Sequence, residues 1–372
     1  MKSKLSDICF YAKGKVNVSG LTDADYISTE NMLPHKGGIT TAASLPSTIQ
    51  TQAYKKDDVL VSNIRPYFKK IWFADCNGGC SNDVLVFRAK KGTDARFLYY
   101  VLADDAFFDY STATSKGTKM PRGDKTAIMQ YEVAHFDLPI QKKIAGILAD
   151  IDDKIALNSN INKNLEQQAQ AIYQQMFIDN ASSDWTEGTL SDIAGITMGQ
   201  SPSGNSYNED GNGTIFFQGR AEFGFRFPTV RLYTTEPKRM AYANDTLMSV
   251  RAPVGDLNVA HTDCCIGRGL AAIHSKNNHQ SFVRYTMFSL KKQLDVFNGE
   301  GTVFGSINRN SLNEMPILIP SSEKLGEFEA LVAPMDAAIR NNYDEICRLE
   351  QLRDTLLPKL MSGELDVSDI DL

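Results

Sequence analysis

The chain has little cysteine, little tryptophan and no long apolar run. Only 6 cysteines and 2 tryptophans occur in 372 residues, and Cys264 and Cys265 are adjacent. Such a set does not make the disulfide framework of a small secreted domain; it suits a reducing compartment. No stretch approaches the roughly 18 apolar residues of a membrane span. Met1 to Asp7 alternates Lys and Ser with single apolar residues and does not lead into the apolar core of a secretory signal. A cytoplasmic protein with no membrane partner is expected. An excess of positive charge is also missing, since 39 Lys+Arg against 45 Asp+Glu give −6. What remains is ordinary: 42% hydrophobic and 23% charged residues exclude wholesale disorder and fibrous classes. The length implies two or three domains.

The acidity is local. Residues 321–372 carry 5 Lys+Arg against 12 Asp+Glu, whereas residues 1–139 carry 18 against 15 and residues 181–320 carry 12 against 13. The near-neutral regions can still present basic faces, because binding follows the local field and not the total.

The chain repeats itself. Leu5-Ser6-Asp7-Ile8 returns as Leu190-Ser191-Asp192-Ile193, and Asp58-Val59-Leu60-Val61-Ser62 returns as Asp245-Thr246-Leu247-Met248-Ser249. Pro66 then matches Pro253, Phe97 and Tyr100 match Phe282 and Tyr285, Gly117-Thr118 matches Gly301-Thr302, and Leu165-Glu166-Gln167 matches Leu349-Glu350-Gln351. An ordered set of matches at offsets of 184 to 187, about half the chain, indicates a duplicated plan.

Each half opens with strand-like runs broken by Gly, Asn and Pro, and closes with a stretch of helical period. Ile144, Leu148, Ile151, Ile155, Asn158, Asn162, Leu165, Ala169, Ile172 and Met176 are spaced by fours and threes. Phe328, Val332, Met335, Ile339, Asn342, Ile346, Leu349, Arg353, Leu356 and Leu360 repeat that spacing. These are matched coiled-coil seams, with Asn158 and Asn342 at the same polar position, where such a residue fixes register. Pro334 predicts a break, with a short helix near Glu323 to Val332 and a long one from Met335 to Leu360; the corresponding break would fall near Asp150. The first helix delivers the chain to the second globular part and its partner must run back. The pair is therefore antiparallel, with a pseudo-two-fold axis, and about 26 residues of helix hold the globular parts roughly 40 Å apart. The expected class is α+β: two similar mixed α/β domains (1–140 and 181–321), a spacer helix (141–180), and a second spacer helix with an acidic tail (322–372).

No catalytic signature is present. The chain lacks a Walker-type phosphate loop and the zinc-binding helix pattern with two His four apart. Phe297 to Gly301 and Glu236-Pro237-Lys238 read as turns. Cys76, Cys80, His261, Cys264 and Cys265 read as buried small residues and neighbours, not as a converging metal site. No catalytic residue and no metal is assigned.

Polar, donor-bearing loops are present in both halves. Arg65, Tyr67, Lys69 and Lys70 follow a strand, and Lys116, Lys119 and Arg122 lie in a Gly-containing stretch whose counterpart runs from Gly301 to Arg309. Gln218, Arg220, Arg226, Arg231, Arg251 and Arg268 follow in the second half. Such side chains neutralise phosphates or bond base edges. As a set clustered in both repeats, they are the candidate DNA contacts. Off the seams, Ile147, Leu157, Ile161, Phe177 and Leu352 add apolar surface suited to a subunit interface.

Gln141-Lys142-Lys143-Ile144-Ala145-Gly146-Ile147-Leu148 leading into Ile151-Asp152-Asp153-Lys154-Ile155 carries a family resemblance. So do Asn162 to Glu166, Leu60 to Pro66, and the closing Leu357 to Leu365. With the duplicated layout, these resemble the specificity subunit of Type I restriction–modification enzymes across the whole chain. The resemblance implies a non-catalytic subunit whose two target recognition domains each read half of a split sequence in double-stranded DNA. It implies two methylation subunits and translocase/nuclease subunits as partners, with S-adenosylmethionine, ATP and Mg on those partners and no cofactor on this chain. Readers held roughly 40 Å apart match half-sites about one helical turn (~34–36 Å) apart. A coiled-coil scaffold binding only protein is the alternative, and it would show no DNA binding at low salt.

Overall fold

In the computed structural model, residues 2–299 and 305–370 are described. Residues 301–304, the first part of the stretch expected to answer Lys116 to Arg122 and including Gly301 and Thr302, lie outside them. The chain forms two compact units, Met1–Ser159 with Asp344–Leu372, and Asn160–Tyr343.

The repeated Leu-Ser-Asp-Ile begins each unit in the same way. Leu5–Ile8 and Leu190–Ile193 are single helical turns, started by the side chains of Asp7 and Asp192. These accept the N–H of Lys4 at 2.8 Å and of Thr189 at 2.7 Å, which satisfies a donor that the helix start leaves open. In the first unit Cys9–Tyr11, Val84–Ala89, Val59–Ser62 and Ile71–Phe73 form an antiparallel sheet in that order. In the second unit Ala194–Met198, Leu270–Ser275, Thr246–Ser249 and Leu257–Val259 repeat the order and directions. A smaller second sheet in each unit contains one parallel pair: Tyr26–Ile27 with Gly78–Cys80, and Thr214–Phe217 with Cys264–Ile266. The strands Val59–Ser62 and Thr246–Ser249 are buried at every position, so neither shows the alternation of a half-exposed strand.

Two long helices, Leu138–Tyr173 and Ser322–Ser362, each contribute to both units. Neither is broken at the positions expected from the sequence. Pro334 and Ala330, whose carbonyl loses its helical bond to the proline, are both exposed, a face where solvent can take up that carbonyl, and the helix continues. Asp150 likewise lies within a helix that runs through it. The predicted seams hold, since all twenty seam residues are buried or half-buried. The pairing is antiparallel. In the first unit Arg353 reaches Asp152 at 3.1 Å and Asn158 reaches Glu345 at 2.8 Å. In the second, Asn342 donates to Asn162 at 2.8 Å.

Each body is sealed by helix residues from both directions. Phe87, Phe97 and Phe107 share a core with Ile144, Leu148, Leu357 and Leu360. Phe282 and Tyr285 share another with Ala169, Tyr173, Phe328 and Val332. Phe177, expected as a docking residue, belongs to this second core at 4% exposure. Its ring lies 4.9 Å from that of Phe282 and 5.1 Å from that of Phe328, and burial on that scale contributes roughly 1.5–3 kcal/mol. Cys9, Cys80, Cys264 and Cys265 are buried free thiols, and burial pushes Cys9, Cys80 and Cys264 each up to about 12. Among the described residues, no helix is long and apolar enough to cross a membrane.

Candidate nucleic-acid interface

In the first unit two loops that are distant in sequence join into one surface. Arg65 donates its N–H to Pro121 O at 2.8 Å, and Gly123 donates to Asn63 O at 3.1 Å. Lys116 and Arg122 exchange both backbone bonds at 2.9 Å. A third loop, which the sequence did not single out, docks alongside: His35 and Lys36 donate their N–H groups to Phe68 O and Lys69 O, both at 2.8 Å. His35, Lys36, Arg65 and Lys69 have φ between 49° and 61°, a left-handed conformation uncommon for residues with a Cβ. No periodicity or motif signals it, and for that reason the His35–Lys36 loop was missed.

The candidate side chains differ in how free they are. Lys69, together with Lys36, reaches the Asp105 carboxylate at 3.0 and 2.8 Å. Burial alone would raise Asp105, but the two ammonium groups outweigh it and hold the carboxyl below the usual range. Lys116 pairs with Asp124 at 2.5 Å, and Arg122 with Asp83 at 3.0 Å. The Lys116 hydrogen bond, followed by the N–H groups of Ala127 and Thr126, holds Asp124 low. Lys70 donates to Thr29 O at 2.6 Å. Lys119 stands exposed at the loop tip, and Tyr67 is 46% exposed. Arg65 is half-buried, with its Nε enclosed and without a hydrogen-bond partner. Lys116, Lys119 and Arg122 are exposed, the first and last in pairs that cost little to exchange, whereas Lys36, Arg65, Lys69 and Lys70 are half-buried.

The second unit assembles the equivalent loops. The bridge between Ile64 and Arg122 has its counterpart between Arg251 and Ser306. Ala252 donates to Gly305 O at 2.9 Å and Ile307 to Val250 O at 3.1 Å. Gly267 donates to Phe217 O at 2.8 Å, and a Cβ at Gly267 or Gly269 would stand 2.9 Å from the Gln218 backbone. Only glycine permits that approach, and it brings exposed Gln218 beside exposed Arg268. Arg251 is exposed, and exposed Arg309 opens the helix Arg309–Asn313. Arg220 pairs with Asp256 at 2.6 Å, and Arg231 with Glu222 at 2.8 Å.

Arg226 does not join this surface. It is 4% exposed and grips Glu166 at 3.0 Å and Asp336, deep against the helices. An arginine in sequence looks the same whether it faces phosphate or an internal carboxylate, and its acidic partners here are 60 and 110 residues away. Burial opposes its charge, but Asp336, Tyr285 and Glu166 raise its pKa. Its neighbour Arg284, 2.8 Å from Glu166, is pulled down to about 10, by burial first and by Arg226 next. Of the expected docking residues, Leu157, Ile161 and Leu352 are exposed at 54%, 38% and 46%, while Ile147 is half-buried against the first core. Among the described residues no three His, Cys, Asp or Glu side chains converge to hold a metal ion.

Comparison with known proteins agrees with this layout. The profile of the type I restriction modification DNA specificity domain matches residues 1–167 and again 182–340. The chain is 32% identical over 270 residues to the MjaX type I restriction enzyme specificity subunit assigned to Methanocaldococcus jannaschii, a match covering 66% of this chain and 63% of that protein. It is 23% identical over 459 aligned positions to the HindI specificity subunit of Haemophilus influenzae, covering 97% and 98%. The solved type I S subunit from M. genitalium superimposes with a TM-score of 0.62 at 17% identity, covering 97% and 96%, so it shares the fold. Two successive matches to one domain account for the internal repeat: the chain belongs to the DNA specificity subunit family of type I restriction–modification systems.

Proposed function

We propose that this chain is the sequence-reading subunit of a type I restriction–modification complex. Each unit reads one half of a split DNA target, and the long helices act as spacer between a reader over residues 1–140 and a reader over 181–321. The observation that carries the reading is the pair of equivalent loop assemblies, 63–70 with 115–123 and 250–252 with 305–309, each exposing cations from the same place in a duplicated fold. Because the loop sequences differ, the two half-sites differ. Methylation and translocase/nuclease subunits carry the chemistry, with S-adenosylmethionine, ATP and Mg bound there. Exposed Leu157, Ile161 and Leu352 on the helices supply apolar surface for docking them.

Methylation-sensitive sequencing of DNA from cells expressing the complex tests this. A split, modified motif that disappears when this chain is deleted is expected. A motif that persists without the chain, or complexes with no DNA affinity at low salt, would leave the protein-scaffold reading in its place.

A further inference from the structure

In the second unit, a short loop of the smaller sheet is driven into the helix pair. Phe223 and Pro228 close its base, and a Cβ on Gly224 would stand 2.6 Å from Phe227 O, so the turn requires glycine. Arg226 and Phe227 at its tip are 4% and 3% exposed, whereas neighbouring Phe225 is 50% exposed. Arg226 forks between Glu166 of the first long helix and Asp336 of the second. Phe227 lies 4.8 Å from the Tyr343 ring and packs with Ile339 and Leu165. The loop is tied to the edge strand Leu257–Val259 of the other sheet by Val259 N–H on Arg226 O and Asn258 Nδ2 on Gly224 O, both at 2.9 Å.

The repeat shows that this is an added attachment. Both units anchor the helix that follows the larger sheet, Ala95–Ala103 and Gln280–Ser289, in the same way: Tyr100 donates to Asp152 at 2.7 Å, and Tyr285 to Asp336 at 3.0 Å. In the first unit the arginine on that aspartate, Arg353, comes from the other long helix. In the second unit it comes from the reader's own loop, so helix and loop converge on the one aspartate, and Phe227 adds a separate contact against Tyr343 and Ile339. A buried ion cluster is weak evidence for stability, and setting register is its best-attested use.

We propose that the Gly224–Phe227 wedge is a positioning device that fixes the second reader on the helix pair and so sets the gap at which its half-site is accepted. This rests on the DNA-reading function above. Removing Arg226 alone would leave the half-buried Asp336 carboxylate without its cation, so the variant of choice is Arg226→Met with Asp336→Asn, which keeps Glu166 as the partner of buried Arg284, with Phe227→Ala as an independent second variant.

Two measurements on the full-length chain test it. Spin labels at Gln170→Cys and Lys238→Cys, both exposed and both in this unit, with Cys347→Ser, report the distance between helix and reader. Both variants should broaden that distance distribution. In the assembled complex, the preference for the natural gap over gaps one base pair longer or shorter should fall several-fold, while helical content stays unchanged. An unchanged distance distribution overturns the proposal whatever the DNA does. A broadened one with full gap preference also overturns it, since the wedge would then stiffen the fold without setting register. A wild-type complex that ignores split DNA overturns the functional reading instead, and the label distances still decide whether the wedge positions the reader.

Discussion

Asp58 accepts both Nε and Nη2 of Arg88 at 2.7 Å. Its Oδ2 also closes the preceding turn by accepting the Lys55 N–H at 2.8 Å. The second unit keeps this carboxylate as Asp245, which takes the Tyr242 N–H at 2.8 Å, but the cation's place on the neighbouring strand is filled by His274, 2.5 Å away. Asp58 and Asp245 are 1% and 2% exposed. Duplication has preserved the buried acid and its turn while the partner has changed.

That conservation makes Asp58 a stability residue, separate from DNA reading. Asp58→Ala removes the acceptor of one backbone donor and of a bidentate pair, and should cost about 3 kcal/mol or somewhat more. Asp58→Asn keeps an acceptor for Lys55 and should cost less. Urea unfolding of the two variants checks the order; equal losses would mean that the turn contributes nothing.

The same pair shows what was legible in the sequence. Asp58 and Asp245 stand out as repeated letters because duplication preserves a turn. The seams were readable because helix burial imposes a period, and Asn158, Asn162 and Asn342 sit on it. Three features were not readable, each for a physical reason. Pro334 suggests a break, yet a proline on an exposed face does not end a long helix supported by packing on its other side. Arg226 has the composition of a phosphate ligand, but its environment is set by Glu166 and Asp336, which only the fold brings near. The left-handed backbone at His35 and Lys36 is imposed by bonds to Phe68 and Lys69, with no local signature.

Glu329 gives a pH-dependent prediction. Burial raises its pKa, with Asp336 adding to the effect and the Phe282 N–H, Ser281 and His279 opposing it. A carboxyl whose folded pKa lies above its unfolded value destabilises the fold as pH rises between the two, and the penalty persists above them. Glu329→Gln keeps an acceptor for the Phe282 N–H at 2.9 Å and removes the charge. The variant should match wild type at low pH and become the more stable of the two as pH rises past the ordinary carboxylate range. Thermal melts across pH 4 to 7 test this, and a constant difference at every pH would assign the effect to packing.

The reading loops predict a graded pattern. Arg65→Ala, and Lys119→Ala with Arg122→Ala, should weaken DNA binding by the assembled complex by roughly 1–3 kcal/mol where a base contact is lost. Where a phosphate contact is lost, the weakening should be uniform across sequences, with a smaller salt slope. Arg226→Lys belongs to the other class and should leave the salt slope unchanged. Titrations at several salt concentrations separate the two. Unchanged affinity and slope for Arg65, Lys119 and Arg122 would return them to ordinary surface charge.

Division of labour follows from the duplication. Replacing residues 1–140 with the equivalent domain of a relative should change one half of the methylated motif and leave the other intact. Sequencing the modified DNA reads the result directly, and a change in both halves would show that the readers are not independent.

The helices give the last prediction. Inserting four residues after Asn160 adds about 6 Å and turns the helix by about 400°, close to one full turn, so the seam on either side realigns. If the helix spaces the readers, the same half-sites should then be methylated with one to two extra base pairs between them, at about 3.4 Å per pair. Two inserted residues turn the helix by about 200°. That rotation would carry Asn162, Leu165 and Ala169 off the buried seam and place exposed residues against the partner helix, so assembly should be lost and no new spacing gained. The spacer role is falsified if the four-residue variant stays active on the original gap alone. The gap would then be set by the docked partner subunits, and the seam would serve only to hold two helices together.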